Sequence, residues 1–129
     1  MIRQGIIIDK NKHETTIIAV DAINAEGILT YIFMDNVESE FREIREILKQ
    51  GLRNREKYCK ADVSDKAKDM FEMRFTKQGK NDRIYCKELH LHKKRYIVMC
   101  ELFSGKKSQE IPKKIKGRIE NLSYYEYQF

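Results

Sequence analysis

Between residues 70 and 103 the hydrophobic pattern is that of successive β-strands, and this limits what the chain can fold into more than any other feature. In MFEMRF, Phe71, Met73 and Phe75 alternate with Glu72 and Arg74, the pattern of a half-buried strand. TKQGKND then reads as a turn, RIYCKEL as a second strand, HLHKK as a second turn and RYIVMCELF as a third strand. RYIVMCELF is almost wholly apolar and is expected to be the most buried of the three. Consecutive strands with short connections form an antiparallel meander. With helices before and after it, the last a C-terminal helix, the class is α+β.

The flanking segments supply the helices. TTIIAVDAINAEGILTYIFMD holds two β-rich runs, Thr15 to Ala22 and Ile28 to Met34, and Asn24 to Gly27 reads as a turn between them. This predicts a hairpin over about residues 13–35. Asn36 or Ser39 can cap a following helix, in which Phe41, Ile44, Leu48 and Leu52 share a face with Ile47 beside them. Gly51 ends or weakens that helix. The stretch RNREKYCKADVSDKAKD is polar and reads as helix or loop. After SGKKSQ a last helix carries Ile111, Ile115, Ile119 and Leu122 at helical spacing, with Pro112 suited to its first turn. The aromatic tail SYYEYQF is expected to pack back on the sheet. The expected order is β-β-α-(α)-β-β-β-α.

A chain of 129 residues makes one domain, 1–129, able to bury a core without disulfide or metal staples. Its three cysteines, Cys59, Cys86 and Cys100, are odd in number and form no CxxC pair, which suits a reducing cytoplasm. No run approaches the roughly 18 apolar residues of a membrane span, and MIRQGIIIDK lacks the pattern of a signal peptide. The expected location is cytoplasmic, with no membrane partner.

Charge is unevenly distributed. From Arg74 to Arg118 there are fourteen Lys or Arg against four acids, a balance of +10, while the other residues hold twelve basic and sixteen acidic groups, a balance of −4. A cationic face on a single domain suits a polyanion, nucleic acid above all; a solvated lysine-rich surface is the plainer alternative.

Three motifs in order carry a resemblance: Phe71-Glu72-Met73-Arg74, then Arg83-Ile84-Tyr85, then Leu102-Phe103 before Lys106-Lys107-Ser108-Gln109 and Pro112. Together they resemble the RelE/HigB superfamily of toxin–antitoxin toxins, nearest the phage-derived HigB-like branch. The match covers about residues 69–120; the N-terminal hairpin region is not matched. The resemblance implies a sheet with two helices on one face and a concave basic surface on the other. It implies a toxin that cleaves mRNA in the ribosomal A site, and a cognate antitoxin, of helix-turn-helix type, that covers the basic surface. On this resemblance Arg74, Arg83 and Lys107 match positions that hold Lys or Arg around the scissile phosphate.

The chemistry of those residue types is consistent with that role. Cleavage through the 2′-OH needs the negative charge growing on the phosphate stabilised. Arg supplies a bidentate fork and Lys a point charge, with metal and cofactor not required. Lys77 and Lys80 in the turn are secondary phosphate contacts, and Lys106, Lys113 and Lys114 extend the track. For Arg74 the plainer reading is an ion pair with Glu72 or Glu88; for Lys106 and Lys107 it is a solvated loop. No acid or base follows Lys107 closely, which leaves Tyr85, Tyr124, Tyr125 and Tyr127 as candidates for proton transfer, and packing as the commoner role for the tail tyrosines. Cys86, Glu88, His90 and His92 would share a strand face, but they run into a turn without a second ligand pair, so no metal site is expected. The alternative function is a non-catalytic nucleic-acid- or protein-binding module of the same fold.

Overall fold

The third strand of the meander is the centre of the molecule. In the computed structural model, which describes residues 2–52, 54–62, 64–105 and 113–129 (side chains from Ile115 onward in the last segment), Ile97, Val98, Met99 and Cys100 are fully buried. They lie in β6 (Lys94–Phe103), which pairs antiparallel with β5 (Asp82–Leu91); β5 in turn pairs with β4 (Met70–Phe75). The expected meander is present. Its second turn is tight: His92 and Lys93 both take positive φ, the conformation that closes a two-residue hairpin along the natural twist of the strands.

The described residues build a seven-stranded sheet in the order β3-β4-β5-β6-β2-β1-β7, mixed rather than purely antiparallel. β2 (Thr16–Asp21) runs parallel to β6, and β1 (Ile2–Lys10) pairs antiparallel with β2 and parallel with β7 (Glu126–Gln128). The tail packs back on the sheet as expected, and the N-terminal segment completes it. β1 was not legible beforehand because Gly5 to Ile8 shows no alternation. β3 (Tyr58–Lys60) lies in the stretch expected as helix or loop; three residues pair with β4 and bury Tyr58 against Phe71, rings stacked at 5.3 Å.

The expected hairpin over 13–35 is corrected. Its first run is β2, but the second is a helix, α1 (Ala25–Ile32). Ala25, Ile28, Tyr31 and Ile32 form one buried stripe, and burial of that stripe on the sheet outweighs the β-branched and aromatic preference of ILTYI. The Asp21 carboxylate accepts from the Ile23 amide at 2.9 Å and turns the chain into the helix.

α2 (Glu38–Lys49) buries Phe41, Ile44 and Leu48 as expected. Its N-cap is Val37, with no side-chain cap, so neither Asn36 nor Ser39 performs that task. Leu52 is exposed because the helix has already ended. Gly51, at φ +71°, closes it, with the Leu52 amide reaching the Ile47 carbonyl and the Gly51 amide the Leu48 carbonyl.

Helices cover both faces, a correction to the one-face expectation. α1 and α2 pack with Ile18, Val20, Met73, Phe75, Ile84, Ile97 and Met99 on one side. α3 (Lys113–Leu122) sends Ile119 and Leu122 to Met70, Tyr85, Val98 and Cys100 on the other. Burial is what puts it there: the apolar side chains of the sheet point both ways, and an uncovered face would leave them in water. Ile111 and Pro112 lie outside the described residues.

Candidate nucleic-acid interface

The sheet face beneath α3 carries the two candidate arginines side by side. Arg74 and Arg83 occupy facing positions of the β4–β5 ladder. Both bind one oxygen of Glu72. Arg74 donates to Glu72 Oε1 from Nε at 2.9 Å and lies 2.8 Å from it through Nη2, and Arg83 donates to the same oxygen from Nη1. Period-two geometry explains the grouping: Glu72 and Arg74 are two residues apart on one strand, and Arg83 stands across from Arg74.

The cluster is deeply set. Glu72 and Arg83 are buried and Arg74 is part-exposed. One carboxylate faces two guanidinium groups, which leaves a net charge of +1. Glu72 Oε2 and Arg83 Nε are buried without hydrogen-bond partners among the described residues. Cys59, paired with Glu72 across β3–β4, brings its thiol to 3.7 Å from Glu72 Oε1; burial and then the Glu72 charge push that thiol upward in pKa.

A bulge brings β6 into the same site. Tyr85 pairs with Glu101, but the next residue, Cys86, pairs with Met99, so Cys100 is an extra residue on β6. Val98 and Cys100 face α3 before it; Phe103 faces α3 after it. Phe103 therefore stands opposite Arg83 and meets the Tyr85 ring edge-on at 5.2 Å. Arg118 of α3 pairs with Glu101 and lies 5.8 Å from the centre of the Phe103 ring. The outgoing loop is fixed at its start: the Gly105 amide donates to Asp82 Oδ1 at 2.8 Å, while Tyr31 OH donates to Asp82 Oδ2 at 2.6 Å.

The other candidates stand as follows. Lys77 pairs with Glu43 at 2.8 Å and is exposed. Lys80 lies 3.4 Å from Glu40, a buried α2 carboxylate that also binds Lys57 and the amides of Thr76 and Lys77. Both lysines thus hold the β4–β5 turn onto α2. Lys106 and Lys107 lie outside the described residues, as do the side chains of Lys113 and Lys114, although both of these belong to the first turn of α3. Tyr85 is buried, and burial followed by the Glu72 charge pushes its phenol up to about 12. Tyr127 is buried, donating to Asp21 at 2.7 Å; Tyr124 is exposed. Cys86 is in the core, Glu88 is held by Arg95 and Tyr58, and His90 and His92 are exposed. Among the described residues no three His, Cys, Asp or Glu side chains gather as metal ligands.

Sequence reasoning named Glu72 only as a partner for Arg74, and it missed Arg118. The alternation in MFEMRF places Glu72 with Arg74, which is the available signal. Arg118 flanks Ile119 on the edge of the buried helical stripe, a weaker one.

The architecture is α+β, with a paired-arginine site on one sheet face. Comparisons with protein-family models, curated proteins and solved structures found no match for this chain. Among the described residues, no helix is long and apolar enough to cross a membrane.

Proposed function

We propose that this protein is the toxin of a toxin–antitoxin pair, a metal-independent endoribonuclease that cleaves mRNA on the ribosome, as its likeness to RelE/HigB toxins implies. The observation that carries the reading is the facing pair Arg74 and Arg83, held at one carboxylate with one positive charge in excess. Arg74, the part-exposed member of the pair, is the guanidinium that can meet a phosphodiester, and Arg83 buried beside it adds fixed positive charge, an arrangement that supports electrostatic stabilisation. Lys107 follows the Gly105 turn, four residues beyond the Phe103 that stands opposite Arg83. That loop is the natural source of a third cation. In the reaction the 2′-hydroxyl gives its proton to water as its oxygen bonds to phosphorus, the bond to the 5′-oxygen breaks, and the leaving oxygen takes a proton from water. Arg74, Arg83 and Lys107 stabilise the charge on the phosphoryl oxygens. A cognate antitoxin, of helix-turn-helix type, neutralises the cationic surface.

Inducible expression in a bacterial host tests this. The expected result is growth arrest, relieved by Arg83→Ala or by Lys107→Ala, with new mRNA 3′ ends bearing cyclic phosphate. Unimpaired growth at high expression overturns it.

One observation favours a second reading, a binding module that does not cleave. Arg83 is buried against Glu72, and the neighbouring Tyr85 phenol is pushed up to about 12, far from a value suited to proton transfer at neutral pH. Salt-sensitive RNA binding with intact RNA after incubation identifies that case.

A further inference from the structure

At the far end of the same sheet two hairpin tips meet. β2 runs parallel to β6 with Thr16 beside Arg95, so the β1–β2 tip (residues 11–15) lies against the β5–β6 tip (residues 92–93). The Arg95 amide donates to the Thr15 carbonyl at 2.8 Å and ties them together. Lys10, Lys12, Lys93 and Lys94 converge there, with all three histidines of the chain, His13, His90 and His92.

The acids nearby are already engaged. Glu14 binds Lys10 at 2.6 Å, and its carboxyl is held below the ordinary range first by that lysine and then by Lys94 from the other hairpin. Asp9 is shared by Arg45 and Lys49, and Glu88 is held by Arg95. Lys12 and Lys93 are exposed and form no ion pair among the described residues. Several cations elsewhere are matched one to one, as in Arg3 with Asp21 and Lys77 with Glu43. A surface whose cations outnumber its free carboxylates is complementary to a chain of phosphates.

Aromatic rings adjoin the lysines. Tyr96 lies two residues along β6 from Lys94 and stacks on Phe129 with centroids 4.5 Å apart, and Phe129 is 38% exposed. Stacking rings beside cations suit nucleobases better than they suit acidic side chains.

We infer that the joined hairpin tips form a second RNA-binding surface, in which Lys12, Lys93 and Lys94 contact backbone phosphates at the sheet end opposite Arg74 and Arg83. Arg83 and Leu91 lie eight steps apart along β5, roughly 26 Å at 3.3 Å per residue. A partner reaching both sites is an extended or folded RNA. The inference rests on RNA being the partner and not on cleavage.

The test is fluorescence anisotropy of the full chain with a labelled single-stranded RNA 20-mer and, separately, with labelled polyglutamate, over roughly 50–200 mM salt. Three lost phosphate contacts at about 0.7 each predict that Lys12→Ala/Lys93→Ala/Lys94→Ala lowers the slope of log affinity against log salt by about 2, and weakens binding at 50 mM by about tenfold or more. Lys60→Ala/Lys66→Ala/Lys68→Ala removes the same charge elsewhere and is expected to leave both nearly unchanged. An unchanged slope in the tip variant overturns the inference, as does an equal loss in the control. Loss of polyglutamate binding with RNA binding retained assigns the surface to an acidic protein instead. Arg83→Ala, measured alongside, abolishes growth arrest if the cleavage reading holds; its failure to do so sinks that reading and leaves the tip result standing.

Discussion

Arg74 and Arg83 face each other across β4 and β5 and share a single oxygen of Glu72. Removing the carboxylate leaves Arg83 buried without compensation, which costs about 3 kcal/mol or more. Glu72→Gln is therefore expected to lower unfolding free energy by about that amount in urea titration. Arg83→Met costs less, since Arg74 still accompanies Glu72. The double variant is expected to recover at least about 1 kcal/mol relative to the sum of the singles. Strict additivity refutes the shared ion pair.

Glu40 gives the fold an acid-sensitive joint. Burial raises its pKa, but bonds from the Thr76 amide, Lys57 and the Lys77 amide outweigh this, and the net shift is downward. A carboxyl lowered in the native state stabilises the fold above its unfolded-state value of about 4.3, and the contribution disappears as pH falls through the native value. Asp21 shifts the same way: burial opposes it, but Arg3, Tyr127 and the Ile23 amide prevail. Stability measured by urea is expected to fall between pH 5 and pH 3, with Glu40→Gln less stable at pH 7 and showing a flatter pH profile. An equal slope in both proteins counts against Glu40.

Asp82 positions the loop that leaves β6. Asp82→Ala frees the Gly105 amide, and Gly105→Ala strains a residue at φ +72° by about 1 kcal/mol. Both are expected to relieve growth arrest at matched protein level as fully as Lys107→Ala, whereas Tyr31→Phe, which removes only the second bond to Asp82, relieves it little. Full toxicity of Asp82→Ala separates the loop from the activity.

The meander was legible in the sequence because MFEMRF alternates, RYIVMCELF is a continuous apolar run, and the turns between strands carry Gly79 or a lysine-rich corner. α2 was legible for the same kind of reason, with Phe41, Ile44 and Leu48 at one period. α1 was not: Ile28, Thr30, Tyr31 and Ile32 are β-favouring residues, and only the sheet beneath them decides for helix. β1 and β3 depend on partners far along the chain, which local pattern does not record. At the site, the alternation placed Arg74 on the face opposite Phe71, Met73 and Phe75 correctly. The sharing of Glu72 between two strands, the engagement of Lys80 by Glu40, and the arrival of Arg118 from α3 are all tertiary facts.

The extra residue at Cys100 lets one strand serve two masters. Upstream of it even-numbered side chains look toward α3; downstream, odd-numbered ones do. A saturation scan along β6 should register this as a change of parity. Polar replacements are expected to be harmful on the α3 side at 98 and 100, and then at 103, while a one-residue deletion at 100 removes the bulge, restores even alternation along β6 and leaves Phe103 opposite Arg83.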